Sequence, residues 1–263
     1  GEVSANAQAF VLNLAPDTAL RVVKQQSITD ELGNTVWTGV PVAATGAVTL
    51  VIHDGAVTGQ VLVGGQQFGI IPTEAAAHAV VEYRPSGKLR RDDVVRRPGI
   101  TVRPPARTQD APAAKPAPSA LERPGATPSI SIYVAYTAAA LKATPDMQGA
   151  IGLALADLRT TLANSQITAQ VTLAGSALVN YVEGANTSSE NVLNDAMIGA
   201  GDFARIRGLQ KTTGGDILSV WSVYKDNCGL AGGLYPDYAP DEIDLAEAAY
   251  YQVNTTGTIA DCG

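Results

Sequence analysis

The sequence predicts an α+β chain in which an antiparallel β unit (residues 1–85) precedes an α/β unit with a mostly parallel, twisted sheet (residues 128–263), with a Pro/Arg/Ala-rich linker (residues 86–127) between them. Three observations predict it. Short Val/Leu/Thr runs in the first third are separated by Asp54-Gly55 and Gly64-Gly65, the strongest local hairpin signals. Apolar periodicity then stops while prolines accumulate. Past Thr127, β-rich runs alternate with helical spacings, and a β-α-β-α-β succession implies parallel strands joined by helical crossovers.

Within the first unit, the runs Ala19 to Gln26, Asn34 to Val40, Ala47 to His53, Ala56 to Val63, Gln66 to Ile71 and Ala77 to Tyr83 read as strands of a meander or small sandwich. The linker follows with Pro98, Pro104, Pro105, Pro112, Pro116, Pro118 and Pro124, too little apolar surface to offset the entropy of ordering it. Arg90, Arg91, Arg96 and Arg97 lie in this segment, where a processing protease could reach them; a solvated charged linker is the alternative reading.

In the second unit, Ser129 to Tyr136 is the first strand. Thr144-Pro145-Asp146 then supplies an N-cap, a first-position proline and an acidic first turn. The helix should run to about Asn164, because Met147, Ile151, Leu155, Leu158 and Leu162 recur at three- and four-residue spacings and form one apolar stripe. Gln170 to Tyr181 is a second strand. Thr187-Ser188-Ser189-Glu190 has capping-box spacing and opens a helix through Ile198. A further helix covers Asp202 to Gln210, stopped by Gly214-Gly215, and Asp216 to Tyr224 has the composition of a central strand.

Composition narrows the function classes. With 263 residues and 46% of them apolar, the chain can bury two cores. A net charge of −7 argues against nucleic-acid or anionic-membrane partners, which need clustered cations. No stretch approaches the roughly eighteen apolar residues of a membrane span. The chain begins at Gly1 rather than Met, which reads as a removed leader or vector segment, and the expected location is secreted or periplasmic. Cys228 and Cys262 suit one disulfide, whose loop of about 35 residues would stabilise the fold by roughly 4 kcal/mol; two unrelated thiols are the alternative. GxSxG and phosphate-cradling glycine loops are both missing, which removes serine-hydrolase and nucleotide-site readings.

The second unit resembles the amino-terminal subdomain of reprolysin-like metzincin zinc metalloproteases, among them the bacterial peptidyl-Asp metalloendopeptidases. The likeness lies in the strand Ile130 to Tyr136, the long helix, the strand Asp216 to Tyr224, and the segment Cys228-Gly229-Leu230-Ala231-Gly232-Gly233-Leu234-Tyr235. The first unit is similar to propeptides of such precursors, through Val36-Trp37-Thr38-Gly39 and Phe68-Gly69-Ile70-Ile71-Pro72. This resemblance implies that Gly229 to Tyr235 leads into an antiparallel edge strand beside the substrate cleft, able to pair with an extended peptide. A plain structural loop is the alternative. One more strand, Ala248 to Asn254, should come before the zinc helix.

The family's HExxHxxGxxH helix is absent, and His53 and His78, the chain's only histidines, cannot make a three-imidazole site. Cys262 stands where relatives carry a cysteine shortly before that helix. The chain therefore reads as a fragment of a secreted zymogen: propeptide plus a truncated catalytic subdomain, silent alone, whose intact parent cleaves peptide bonds with a zinc-activated water. Zinc and a peptide or protein substrate belong to that parent, no cofactor is expected in this chain, and a propeptide contact in cis is expected. The alternative is a secreted, non-enzymatic two-domain binding module on a degenerate protease scaffold.

Two smaller sites merit weighing. No cysteine lies in residues 1–85 to block zinc as a thiolate switch, which leaves His53-Asp54 as a possible reaching group, against ordinary turn chemistry. Asp237, Asp241, Glu242, Asp244 and Glu247 offer oxygens for calcium, but their spacing is not that of an EF-hand, and Pro240-Asp241-Glu242 has the form of a helix start.

Overall fold

Strand and helix order follow from where the turn residues fall. The computed structural model describes residues 6–73, 77–83, 127–185, 188–224, 229–231 and 250–254, the last as backbone. Seven antiparallel strands form the first sheet in sequential order: β1 (Ala9–Ala15), β2 (Thr18–Thr29), β3 (Thr35–Pro41), β4 (Gly46–His53), β5 (Ala56–Val63), β6 (Gln66–Pro72) and β7 (His78–Tyr83). The β4–β5 turn places Asp54 at φ 47° and Gly55 at φ 83°, and the β5–β6 turn places Gly64 at 57° and Gly65 at 82°, the left-handed pairs that two-residue hairpins require.

This sheet is one curled meander rather than a sandwich. Phe10 of β1 reaches over β2 to Trp37 of β3, their ring centroids 4.5 Å apart, and the fully buried Trp37 donates its indole N–H to the carbonyl of Ala7 at 3.1 Å. Leu14, Val22, Leu50, Val61, Phe68 and Ile70 join the same concave core. Strand β1 escaped the sequence reading because Val11, 58% exposed, sits among the inward Phe10, Leu12 and Leu14 and blurs their alternation.

The second unit holds β8 (Ser129–Thr137), α1 (Ala138–Ala143), α2 (Met147–Asn164), β9 (Gln170–Val179), α3 (Ser189–Ile198), α4 (Phe203–Thr213), β10 (Ile217–Ser222), β11 (Gly229–Ala231) and β12 (Tyr250–Asn254). Its sheet has the order β11-β12-β10-β8-β9, with β8/β9, β8/β10 and β10/β12 parallel and β11/β12 antiparallel. The mixed architecture thus contains both expected sheets, a mostly parallel one and an antiparallel meander.

Helix starts differ from expectation for local reasons. Thr144 does not cap α2; it ends α1 in an extended conformation, and its buried hydroxyl lacks a partner. Asp146 caps instead, its carboxylate accepting the Gly149 N–H at 2.9 Å, so Pro145 lies before the cap. The capping box of α3 is likewise one residue later than Thr187/Glu190: Ser188 and Asn191 bond each other's backbone N–H. Strand β9 stops at Val179 and β10 at Ser222, both short of the expected Tyr181 and Tyr224.

Helix α2 lies between the two sheets. Met147, Ile151 and Leu155 face β8 and β9 in a core with Ile132, Val134 and Val171. Leu153 and Ala156 pack instead on Val36 and Val51 of the first sheet. Small residues make that approach possible: a Cβ on Gly152 would stand 2.7 Å from the Asp30 carboxylate, 3.0 Å from the Asn34 amide and 3.2 Å from Val51. Gly152→Ala should therefore destabilise the protein by about 1–3 kcal/mol through overpacking, against the roughly 1 kcal/mol that alanine gains as a helix former. Urea unfolding measures the net sign.

Candidate functional site

Two places gather polar groups: the carboxyl ends of the parallel strands, and the seam between α2 and the first sheet. From β8 the chain crosses to β9 on one side and later returns to β10 on the other, so the crossovers diverge between β8 and β10. Open α/β sheets hold ligands at such a point. Here Glu183 occupies it. One of its oxygens accepts the buried Thr137 hydroxyl from the end of β8, and the other accepts the Val223 N–H, just past β10, at 3.0 Å. Thr137 also caps α1 by accepting the Ala140 N–H at 3.0 Å. This carboxylate ties two strand ends together.

The end of β9 is held by a second clamp. Asp202 accepts the Asn180 N–H at 2.8 Å and pairs with Arg205, which also donates to the Leu178 carbonyl at 2.7 Å. The Arg205 hydrogen bond, with help from the Asn180 N–H, lowers Asp202 to about 2. Behind it, Tyr181 lies 5.4 Å from Phe203, and burial, then the Asp195 hydrogen bond, push its phenol above the ordinary range.

At the seam, Asp146 has a side chain only 5% exposed. Its Oδ1 accepts from His53 Nδ1 at 2.8 Å as well as from Gly149 N, and its Oδ2 accepts the Thr58 hydroxyl at 2.9 Å. Because a carboxylate only accepts, His53 Nδ1 carries a proton. His53 Nε2 lies 3.6 Å from the exposed Asp54 carboxylate. Beside this cluster the buried Asn34, held by Asp30, donates to the Gln148 carbonyl at 3.4 Å, and Arg159 pairs with Glu31. His53 is thus engaged by α2, and His78 Nε2 accepts the Val57 N–H at 2.9 Å.

Of the expected site residues, Gly229, Leu230 and Ala231 form β11, the last strand in the sheet order, with Leu230 buried in the core beside Leu218 and Val220. Gly232, Gly233, Leu234 and Tyr235 lie outside the described residues. So do Cys228 and Cys262, Arg90, Arg91, Arg96 and Arg97, residues 86–126 of the linker, and the acidic group Asp237 to Glu247. Among the described residues no group of three or more His, Cys, Asp or Glu is placed to hold a metal. Sequence reasoning missed Glu183 and the Asp146 cluster. Asp146 was visible as a helix-start residue, but nothing in the pattern joins it to His53.

No family model matches the chain. No curated protein is similar to it in sequence. Among solved structures, the crystal structure of metalloproteinase-II from Bacteroides fragilis is similar over 95% of this chain and 76% of that one, with a TM-score of 0.49 and 8% identity. Likeness at that level assigns no reaction or ligand to this chain.

One titratable group of α2 makes stability depend on pH. Burial lifts Asp157 from its ordinary 3.8 to about 6. Between those values the folded protein binds more protons than the unfolded chain, so stability falls as pH rises through the window and levels off above it. Asp157→Asn should flatten the pH dependence and stabilise the protein at pH 7 by about 1–3 kcal/mol. Urea titrations between pH 3.5 and pH 7.5 would show it; an unchanged slope would contradict it.

Proposed function

We propose that the chain is the propeptide and the first part of the catalytic domain of a secreted zinc metalloendopeptidase precursor, of the reprolysin-like metzincin type. One observation carries the reading: in a parallel sheet, β11 runs antiparallel at the outer edge, with β12 inserted between it and β10. The resemblance implies that arrangement, an edge strand followed in sequence by one more strand. Under this reading β11, last in the order of the described strands, pairs with an extended peptide by strand addition, with Gly229 to Tyr235 as the docking segment. The first sheet, seated on α2, supplies the propeptide contact in cis.

Under this reading the zinc ligands lie past Gly263, and this chain binds no zinc of its own. Calorimetric titration with Zn²⁺ should show no stoichiometric binding, and tight one-to-one binding would refute the placement of the ligands. The coding sequence past Gly263 should continue into an HExxHxxGxxH helix. A stop codon there would favour the non-enzymatic binding module instead.

A further inference from the structure

We propose that Asp146 is an interdomain latch that holds the first sheet on the α/β unit without help from the covalent connection, so that cutting between residues 86 and 127 leaves the two pieces bound. Nothing in this inference requires zinc or peptide hydrolysis. The Asp146 carboxylate is shared between two tasks: it caps α2 through Gly149, and it takes donors from β4 and β5 of the other sheet, His53 and Thr58. A carboxylate this buried would be strongly disfavoured if its donors left, because a desolvated charge needs every partner it has.

Geometry explains why the latch sits at the helix start. Gly149 lacks a side chain exactly where Thr58 must pass, and a Cβ there would stand 2.9 Å from the Thr58 hydroxyl and collide with the Asp146 carboxylate. The space is cut for a threonine from the other unit. The charged neighbours of the cluster among the described residues are the exposed Asp54 beyond His53, Asp30 where it holds Asn34 against α2, and the partly exposed Glu31–Arg159 pair farther along the helix. Those exposed pairs contribute little, whereas the enclosed carboxylate with its three donors carries the seam.

The test uses the full chain with a specific protease site placed within residues 86–127, cut after folding, and the affinity of the two pieces read by dilution in native mass spectrometry. The uncut-like association should survive cutting in the parent protein. Asp146→Asn, which keeps a competent cap, should weaken it at least about tenfold, and Thr58→Val about fivefold. Thr58→Val leaves the α2 cap untouched, so its effect reports the seam alone. Combining both changes should cost little beyond Asp146→Asn, the mark of a shared contact. Glu31→Gln should change affinity about twofold or less. Immediate separation of the parent pieces, additive effects of the two substitutions, or an equal loss in Glu31→Gln would each overturn the latch.

Discussion

A single helix with two apolar faces governs how this chain is put together. Helix α2 gives Met147, Ile151 and Leu155 to the parallel sheet and Gly149, Gly152, Leu153 and Ala156 to the meander, so neither sheet completes its packing without it. The second face sets small residues around Leu153 because two layers must pass within van der Waals contact of one helix. Glycine inside a helix costs about 1 kcal/mol relative to alanine, and two of them one turn apart are tolerated only where something occupies the space they leave. Here the occupants are Thr58, Asp30, Asn34 and Val51.

Polar groups then set the register of that contact. Apolar packing between Val36, Val51, Leu153 and Ala156 is non-directional and would accept several slides of sheet over helix. Hydrogen bonds to Asp146 at one end, from Asn34 to the Gln148 carbonyl beside it, and the Arg159–Glu31 pair beyond accept only one. Arg159 also donates to the Val171 carbonyl of β9, so the same side chain joins the parallel sheet to the β2–β3 turn. In the parallel sheet itself, Glu183 and Asp202 fix the carboxyl ends of β8, β9 and β10.

Local chemistry made most of the fold legible in the sequence. Asp54-Gly55 and Gly64-Gly65 located two hairpins because only left-handed backbone fits there, and the apolar stripe from Met147 to Leu162 located α2. Errors arose where two signals competed. Thr144 and Asp146 are both good caps, and the choice fell to Asp146 because its carboxylate is also claimed by His53 and Thr58 from 93 and 88 residues away. Strand β1 was hidden by Val11, and α1 is a short, alanine-rich helix of six residues whose cap, Thr137, belongs to the preceding strand. The stripe reading captured one face of α2 only, since on the other Leu153 stands among glycines and an alanine that carry almost no hydrophobic signal. Long-range pairings such as Glu183 with Thr137 and Val223 leave no periodic trace at all.

If α2 joins the sheets into one cooperative unit, local opening should not separate them. Native-state hydrogen exchange across low denaturant measures this directly, by comparing the amides of Leu50 and Val51 in β4 with those of Ile151 and Leu155 in α2. The account requires the two sets to merge into one opening, with equal free energy and equal denaturant dependence. Exchange of the β4 amides through a lower opening that leaves α2 protected would contradict it.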